Sequence, residues 1–511
     1  MTVVVTPAPL TPEEVIAVAR ADAEVVISDE ALAVMASSRA HVEELGESEV
    51  PAYGISTGFG ALATTEIPFE RRRDLQRSLV RSHAAGTGAP VEREVVRAMQ
   101  LLRLHTLATG HTGSRPLLAT TIAAMLNAGV TPVVPEFGSL GCSGDLAPLA
   151  ACALAMMGEG EVHDESGEPV DAAVSLRTHG IEPVVLEEKE GLALLNGTDG
   201  MLGMLVLANQ DLGGLVTAAD LAASMSIEAL LGTDRVFAAD LHLLRPQPGQ
   251  AASAANMRAI LADSAIVASH RGPDDTRVQD AYSLRCAPQV AGACRDTLDH
   301  ARRVAGYELA SAIDNPVVLD DGRVESNGNF HGAPVGYVCD FLAIAAADLA
   351  SISERRTDRM LDRHRSQGLP PFLADDPGVD SGHMIAQYTQ AALVNECKRL
   401  AVPASVDSIP SSAMQEDHVS MGWSAARKLR RAIDLAGRVV AIEILTAARA
   451  IDLLAPLTPA PATAAVIAAL RESVPGPGPD RHLAPEIAAA VVGVRSGEFV
   501  AAAEQVTGPL A

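Results

Sequence analysis

Long apolar stretches broken by single charged positions fill most of the chain after residue 200. The pattern predicts helices over 201–231, 251–270, 288–313, 332–366, 382–400 and 417–455. Three of these exceed the usual length of a globular helix. Residues 201–231 contain Asn209, Gln210, Asp211, Asp220 and Glu228, and residues 435–455 contain Arg438, Glu443, Arg449 and Asp452. A charge every several residues argues for buried helices in a soluble bundle rather than membrane spans. Helices that are apolar nearly all round need cover on several faces, which one subunit can hardly supply. A homo-oligomer is therefore expected.

The first two hundred residues read differently. Thr11 to Arg20 opens a helix with Glu13 and Glu14 in its first turn, after a Pro-containing tail. Residues 51–65 are rich in Gly and Thr and read as a loop. Helices follow over about 68–83, 92–109 and 116–128, and Val130 to Pro135 is a short strand or extended segment. Residues 456–463 and 475–485 read as linkers before a small helical cap. The fold class is mainly α: a long-helix bundle with a smaller, loop-rich N-terminal region. The blocks are 1–200, 201–455 and 456–511.

Composition narrows the functions. The chain has 511 residues, 48% hydrophobic and only 3% aromatic, which favours helices packed through small side chains. A net charge of −25 repels phosphate backbones and argues against nucleic acid as a partner. The run Arg71, Arg72, Arg73, Arg77 and Arg81 has helical spacing and reads as a solvated face. The six cysteines (142, 152, 286, 294, 339, 397) show no metal-ligand spacing, so no metal site is expected. Free thiols fit a reducing cytoplasm. Residues 1–10 carry no signal-peptide pattern.

The richest chemistry lies in Gly138-Ser-Leu-Gly-Cys-Ser-Gly-Asp-Leu-Ala-Pro-Leu149. Cys142, Ser143 and Gly144 can cyclise on their own backbone. The Gly144 nitrogen, unhindered by a Cβ, attacks the Cys142 carbonyl carbon and expels one water. Loss of the Ser143 hydroxyl as a second water leaves an exocyclic methylene, a strong electrophile. The plain alternative is a tight Gly/Ser loop. Asp145 reads as an N-cap for an Ala-rich helix over 146–157, whose positive end would draw electrons from such a ring.

Other candidates each carry two readings. Gly54-Ile-Ser56-Thr-Gly58 matches a hydrolase nucleophile pattern but lacks the strand and helix that motif needs. Tyr53 is a packing residue or, in a cationic site, a base. Arg285 is a surface ion-pair partner or a carboxylate-binding fork. Asn196 caps or turns. His83 at a helix end interacts with the dipole, and Gln415-Glu416-Asp417-His418 reads as the start of a helix. Phe330 is the one aromatic of a Gly-rich turn at 327–332.

Four motifs in order resemble the aromatic amino acid ammonia-lyases that carry a methylidene-imidazolone group. They are Tyr-Gly-Ile-Ser-Thr-Gly-Phe-Gly (53–60), Gly-Cys-Ser-Gly-Asp-Leu-Ala-Pro-Leu (141–149), Leu-Leu-Asn-Gly-Thr (194–198) and Gln-Asp-Ala-Tyr-Ser-Leu-Arg-Cys-Ala-Pro-Gln (279–289). The likeness runs from about Tyr53 to Leu454. Ser82-His83 and Gln415–His418 resemble the histidine-specific members, where the phenylalanine and tyrosine enzymes differ. The resemblance implies elimination of ammonia from L-histidine to trans-urocanate, with no external cofactor and a tetrameric assembly. The ring would form from Cys142, Ser143 and Gly144. Tyr53 would take the β-proton, Arg285 would hold the carboxylate with Tyr282 and Gln279 nearby, and Asn196 would support the ring or substrate. Phe330 would flank the ring, and His83 with Glu416 would bind the imidazole. Cys142 replaces the family's commonest Ala, but its side chain does not enter the ring-forming step. His383 stands where some relatives resemble an aromatic, and no role is assigned to it. The alternatives are a phenylalanine or tyrosine lyase or aminomutase, a non-catalytic helical scaffold, and a Ser56 hydrolase.

Overall fold

The structure is a computed structural model that describes residues 1–47, 57–58, 65–164, 166–272 and 278–511. Tyr53 and Ser56 lie outside the described residues. The chain forms two compact units: Met1–Leu207 with Arg302–Asp340 and Pro403–Arg427, and Ala208–Ala301 with Phe341–Val402 and Lys428–Ala511. This division interleaves along the chain instead of following consecutive blocks. Four of its five crossing points fall inside long helices, where no loop or linker marks the change.

In the first unit, Pro12–Ala21 starts as its sequence dictates. Thr11 and Glu14 form a reciprocal capping box, with Pro12 in the first turn. The residues before it are not a tail. Thr2–Val5 is a strand paired in parallel with Glu24–Ile27, with Val3 and Val5 fully buried on its inner face. Arg93–Ala108 is buried from Val95 onward, polar residues included. Arg97 is tolerated there because its Nε and Nη1 donate to the Val18 and Leu126 carbonyls at 2.9 and 3.0 Å. The expected extended segment at 130–135 resolves into Thr131–Pro132, antiparallel to Glu161–His163, and Pro135–Phe137, antiparallel to Thr87–Pro90. Arg73, Arg77 and Arg81 lie on an exposed face and pair with Glu187 and Glu159.

The second unit contains most of the long helical run, including Met384–Leu400, and ends in Pro461–Arg471, Ala484–Ser496 and Glu498–Thr507. Two of the charges that interrupt its apolar stretches, Asp220 and Glu228, are buried, and each carboxylate finds two donors. Asp220 accepts from Arg295 Nη2 at 2.8 Å and Asn256 Nδ2 at 3.0 Å. Glu228 accepts from Ser264 Oγ and from the Ala460 backbone N–H, both at 2.6 Å. Burial pushes both carboxyls above their usual range. Asp199–Ala229 and Ala333–Leu361 are long and apolar enough to cross a membrane, yet most of the first is buried inside the protein. The expected 251–270 helix is two pieces, Pro248–Ile260 and Ala265–Ala268. Asp263 at φ +60° breaks it, and Ser264 caps the second piece.

Candidate active site

The Cys142-Ser143-Gly144 loop is held by hydrogen bonds to the residues on either side of it. The Met421 N–H donates to Leu140 O at 2.9 Å, and Ser420 Oγ donates to Gly141 O at 2.8 Å. Ser139 Oγ accepts from Gly141 N at 3.2 Å and donates to Asp145 Oδ1 at 2.8 Å. Gly144 bridges in parallel to Gly197, and the Asp145 N–H donates to Gly197 O at 2.7 Å. Gly144 has φ +79°, and a Cβ there would overlap the Gly197 peptide. Both conformation and space therefore require glycine.

Asp145 does not cap its own helix, Leu146–Met156, as the sequence suggested; no side-chain cap bond is made. Its Oδ2 instead accepts from Met201 N at 2.8 Å, in the first turn of Asp199–Ala229. A fully buried carboxylate needs donors, and the free N–H groups of a second helix supply them. Burial pushes its pKa to about 7, opposed by the Met201 and Ser139 hydrogen bonds.

His83 is the last residue of Arg72–His83. Its Nδ1 lies 2.9 Å from Leu79 O, and since a carbonyl only accepts, Nδ1 carries the proton and Nε2 is left as an acceptor. Burial lowers its pKa, against the pull of Leu79 O and of the Glu416 carboxylate. A neutral ring is thereby favoured over the cation expected at a helix end.

Glu416 is not at a helix start. The Ser411 and Glu416 backbones bond each other at 2.8 and 3.2 Å, and Ser411 Oγ donates to Glu416 Oε2 at 3.1 Å. Between them Ser412, Ala413 and Met414 take positive φ. The helix begins only at Gly422, after an irregular stretch that places Val419 and Met421 against Cys142. The Cys142 thiol is pushed up to about 12, first by burial and then by the charge and hydrogen bonding of Glu416. Glu416 thus lies within electrostatic reach of both His83 and Cys142.

Asn196 ends Glu190–Leu195 and is 4% exposed. Its Nδ2 donates to Asn315 O at 3.0 Å. Next to it, Gly197 has no space for a Cβ because the Arg103 guanidinium and Asp199 carboxylate fill it. Thr198 Oγ1 donates to Glu308 at 2.5 Å, and Arg103 pairs with Asp199. Phe330 is half-buried in a turn. His331 beside it stacks on His418, ring centroids 5.6 Å apart, which brings that turn to the Glu416 loop. Sequence reasoning passed over Ser139, Arg103, Asn315 and Ser420. Only Ser139, inside the Gly/Ser-rich motif, carried a local signal.

Gln279, Tyr282 and Arg285 belong to the second unit. Gln279 is exposed and Tyr282 is 71% exposed. The Arg285 guanidinium lies 4.6 Å from the centre of the Tyr282 ring. His383 is a buried neutral histidine in that unit, its Nδ1 3.1 Å from Thr446 Oγ1, with a pKa lowered to about 3 by burial. Among the described residues no group of three or more His, Cys, Asp or Glu could hold a metal ion.

A family model described as aromatic amino acid lyase matches residues 10–472. The chain belongs to the aromatic amino acid lyase family. It is 66% identical over 511 residues to a histidine ammonia-lyase of Streptomyces avermitilis, covering 100% of both chains. Its structure matches histidine ammonia-lyase from Trypanosoma cruzi with a TM-score of 0.91 at 38% identity, covering 99% of this chain and 96% of that one. It matches tyrosine aminomutase from Streptomyces globisporus with a TM-score of 0.94 at 40% identity over 100% of both. The family's mainly helical fold is the one described above.

Proposed function

We propose that this enzyme eliminates ammonia from L-histidine to give trans-urocanate, using a methylidene-imidazolone ring made from Cys142, Ser143 and Gly144. What supports the reading is the place of Glu416, close enough for its carboxylate to act on both the His83 ring and the Cys142 thiol, in the turn just before Val419 and Met421 pack on Cys142. Two acceptors, His83 Nε2 and the Glu416 carboxylate, suit the two N–H groups of an imidazolium, and either one suits the single N–H of a neutral imidazole. A phenyl ring would leave them unpaired at a cost of about 1–3 kcal/mol each. The name of the 66% identical relative supports the same substrate.

The residues present fit the ring. Gly144 and Gly197 form a cradle that a Cβ would fill, and the Asp145 N–H is already committed to Gly197 O. When formed, the ring supplies an electrophilic methylidene carbon that bonds the substrate nitrogen. The remaining tasks fall to side chains. Arg285 binds the carboxylate through its planar fork, with Tyr282 and Gln279 alongside. Tyr53 Oη takes the β-proton. Asn196, anchored through Nδ2, supports the ring or substrate, and Phe330 keeps water off. Orientation of this kind contributes about 7–11 kcal/mol to such reactions.

We also propose a cytoplasmic homotetramer. Six free cysteines suit a reducing compartment. Phe341, Ile344, Ile385 and Tyr388 expose apolar surface along the long helices, which a second copy would cover.

Intact mass tests the reading. The protein should fall two waters short of its sequence, and Ser143→Ala should restore the mass, remove the near-UV absorbance of the ring and abolish urocanate formation. A fully active Ser143→Ala protein overturns it. Production of a β-amino acid from tyrosine, without net ammonia, would move the chain to the aminomutase branch.

A further inference from the structure

We infer that Arg356 and Glu443 are positioning residues for Arg285, acting through the backbone of the short helix that carries it. The inference rests on the assignment of Arg285 to the substrate carboxylate. All the residues involved lie in the second unit.

The pair is fully buried, with side chains 1% and 0% exposed. Glu443 collects four donors: Arg356 Nε at 2.5 Å, Arg356 Nη2 at 2.8 Å, and the hydroxyls of Ser226 and Ser353 at 2.6 Å each. The guanidinium is thereby clamped in plane. Its remaining arm, Nη1, donates to the Ser283 carbonyl at 3.3 Å. Ser283 sits in the middle of Tyr282–Arg285, a helix of a single turn with no side-chain cap. At the upstream end of the same segment, Asp280 Oδ2 accepts the Thr233 N–H at 2.7 Å.

Stability alone does not account for two charges at this depth. An apolar pair of similar volume often serves a core as well or better, because burying ions carries a large desolvation cost. An apolar pair cannot hold a backbone carbonyl at a set distance, whereas a clamped guanidinium can. The anchored turn is also the one in which Arg285 has a buried Nε without a hydrogen-bond partner among the described residues. Arg285 therefore keeps donor capacity while its backbone is fixed by other groups. The polar cluster beneath it sets where that fork points.

The test separates carboxylate recognition from general damage. Arg356→Lys keeps the charge opposite Glu443, but one ammonium cannot serve both carboxylate oxygens and the Ser283 carbonyl. The variant should keep the ring absorbance and raise KM for L-histidine about tenfold to a hundredfold, with kcat changing much less. Inhibition by histamine, which has the imidazole but no carboxylate, should be unchanged. An unchanged KM, or equal weakening of histidine and histamine, overturns the inference. Should Arg356→Lys fail to fold, Ser353→Ala decides. It removes one donor to Glu443 and should raise KM about twofold to tenfold with the same indifference to histamine. A wild-type protein that forms no urocanate defeats the functional reading itself. Normal wild-type turnover with unaltered carboxylate selectivity in these variants defeats this inference alone.

Discussion

The Asp145 carboxylate and the Met201 backbone N–H are 2.8 Å apart, so the residue that follows Cys142-Ser143-Gly144 also caps the helix Asp199–Ala229. With Asp145 N on Gly197 O at 2.7 Å, this one residue ties the loop to the start of that helix through both its backbone and its side chain. The tripeptide loop and the helix start are therefore coupled, and the first two predictions follow from that coupling.

Gly197→Ala should block ring formation without touching the tripeptide. A methyl group there would collide with the Arg103 guanidinium and the Asp199 carboxylate. Overpacking of this kind costs about 1–3 kcal/mol and displaces the Gly197 carbonyl that Asp145 N needs. Intact mass should show the full sequence mass, or only one water lost, in place of the two-water deficit.

Asp145 should leave a mark on the pH dependence of stability. Its folded pKa, about 7, is raised from an ordinary 3.8. A raised value means that the native state holds the proton more tightly than the unfolded chain. The contribution is thus fully present below about pH 3.8 and is lost as pH rises toward 7. Asp145→Asn should flatten this part of the profile, read as Tm against pH. An identical slope in wild type and variant would show that Asp145 does not titrate there.

His83→Leu should weaken use of histidine by about 5- to 160-fold in kcat/KM, the equivalent of about 1–3 kcal/mol for a lost buried hydrogen-bonding partner, and admit an aryl substrate. Unchanged selectivity would remove His83 from the pocket.

The charge on Glu416 raises the His83 pKa against the stronger lowering effect of burial. Glu416→Gln should move the His83 titration, followed by NMR, to still lower pH. The acid limb of any activity that needs neutral His83 should move in the same direction.

Lys189 and Asp314 form a fully buried ion pair directly before Asn315, whose carbonyl holds Asn196. Lys189→Met alone should destabilise the fold by about 3–5 kcal/mol by stranding a charge. Adding Asp314→Leu should recover most of that loss in denaturant unfolding.

Much of this architecture could be read directly from the order of residues. Thr11, Pro12 and Glu14 dictate a helix start by local geometry, and the structure has it there. The Gly-Cys-Ser-Gly-Asp segment signals its chemistry because cyclisation needs only neighbours in the chain and a glycine without a Cβ. The start of the chain was harder. A four-residue strand is stabilised by its partner at 24–27, not by its own propensity.

Short-range rules settled most helix cores, the start of the first helix and the glycine that cyclisation of residues 142–144 would need. Long-range packing settled the rest. Which donors satisfy Asp145, why Glu416 sits in a tight turn below Gly422, and which charges stand beneath Tyr282–Arg285 all depend on groups far away in sequence. A buried polar atom must find a partner, and folding brings that partner from whichever segment passes nearby. Residue order lists the groups that need partners, but the assembled core chooses them.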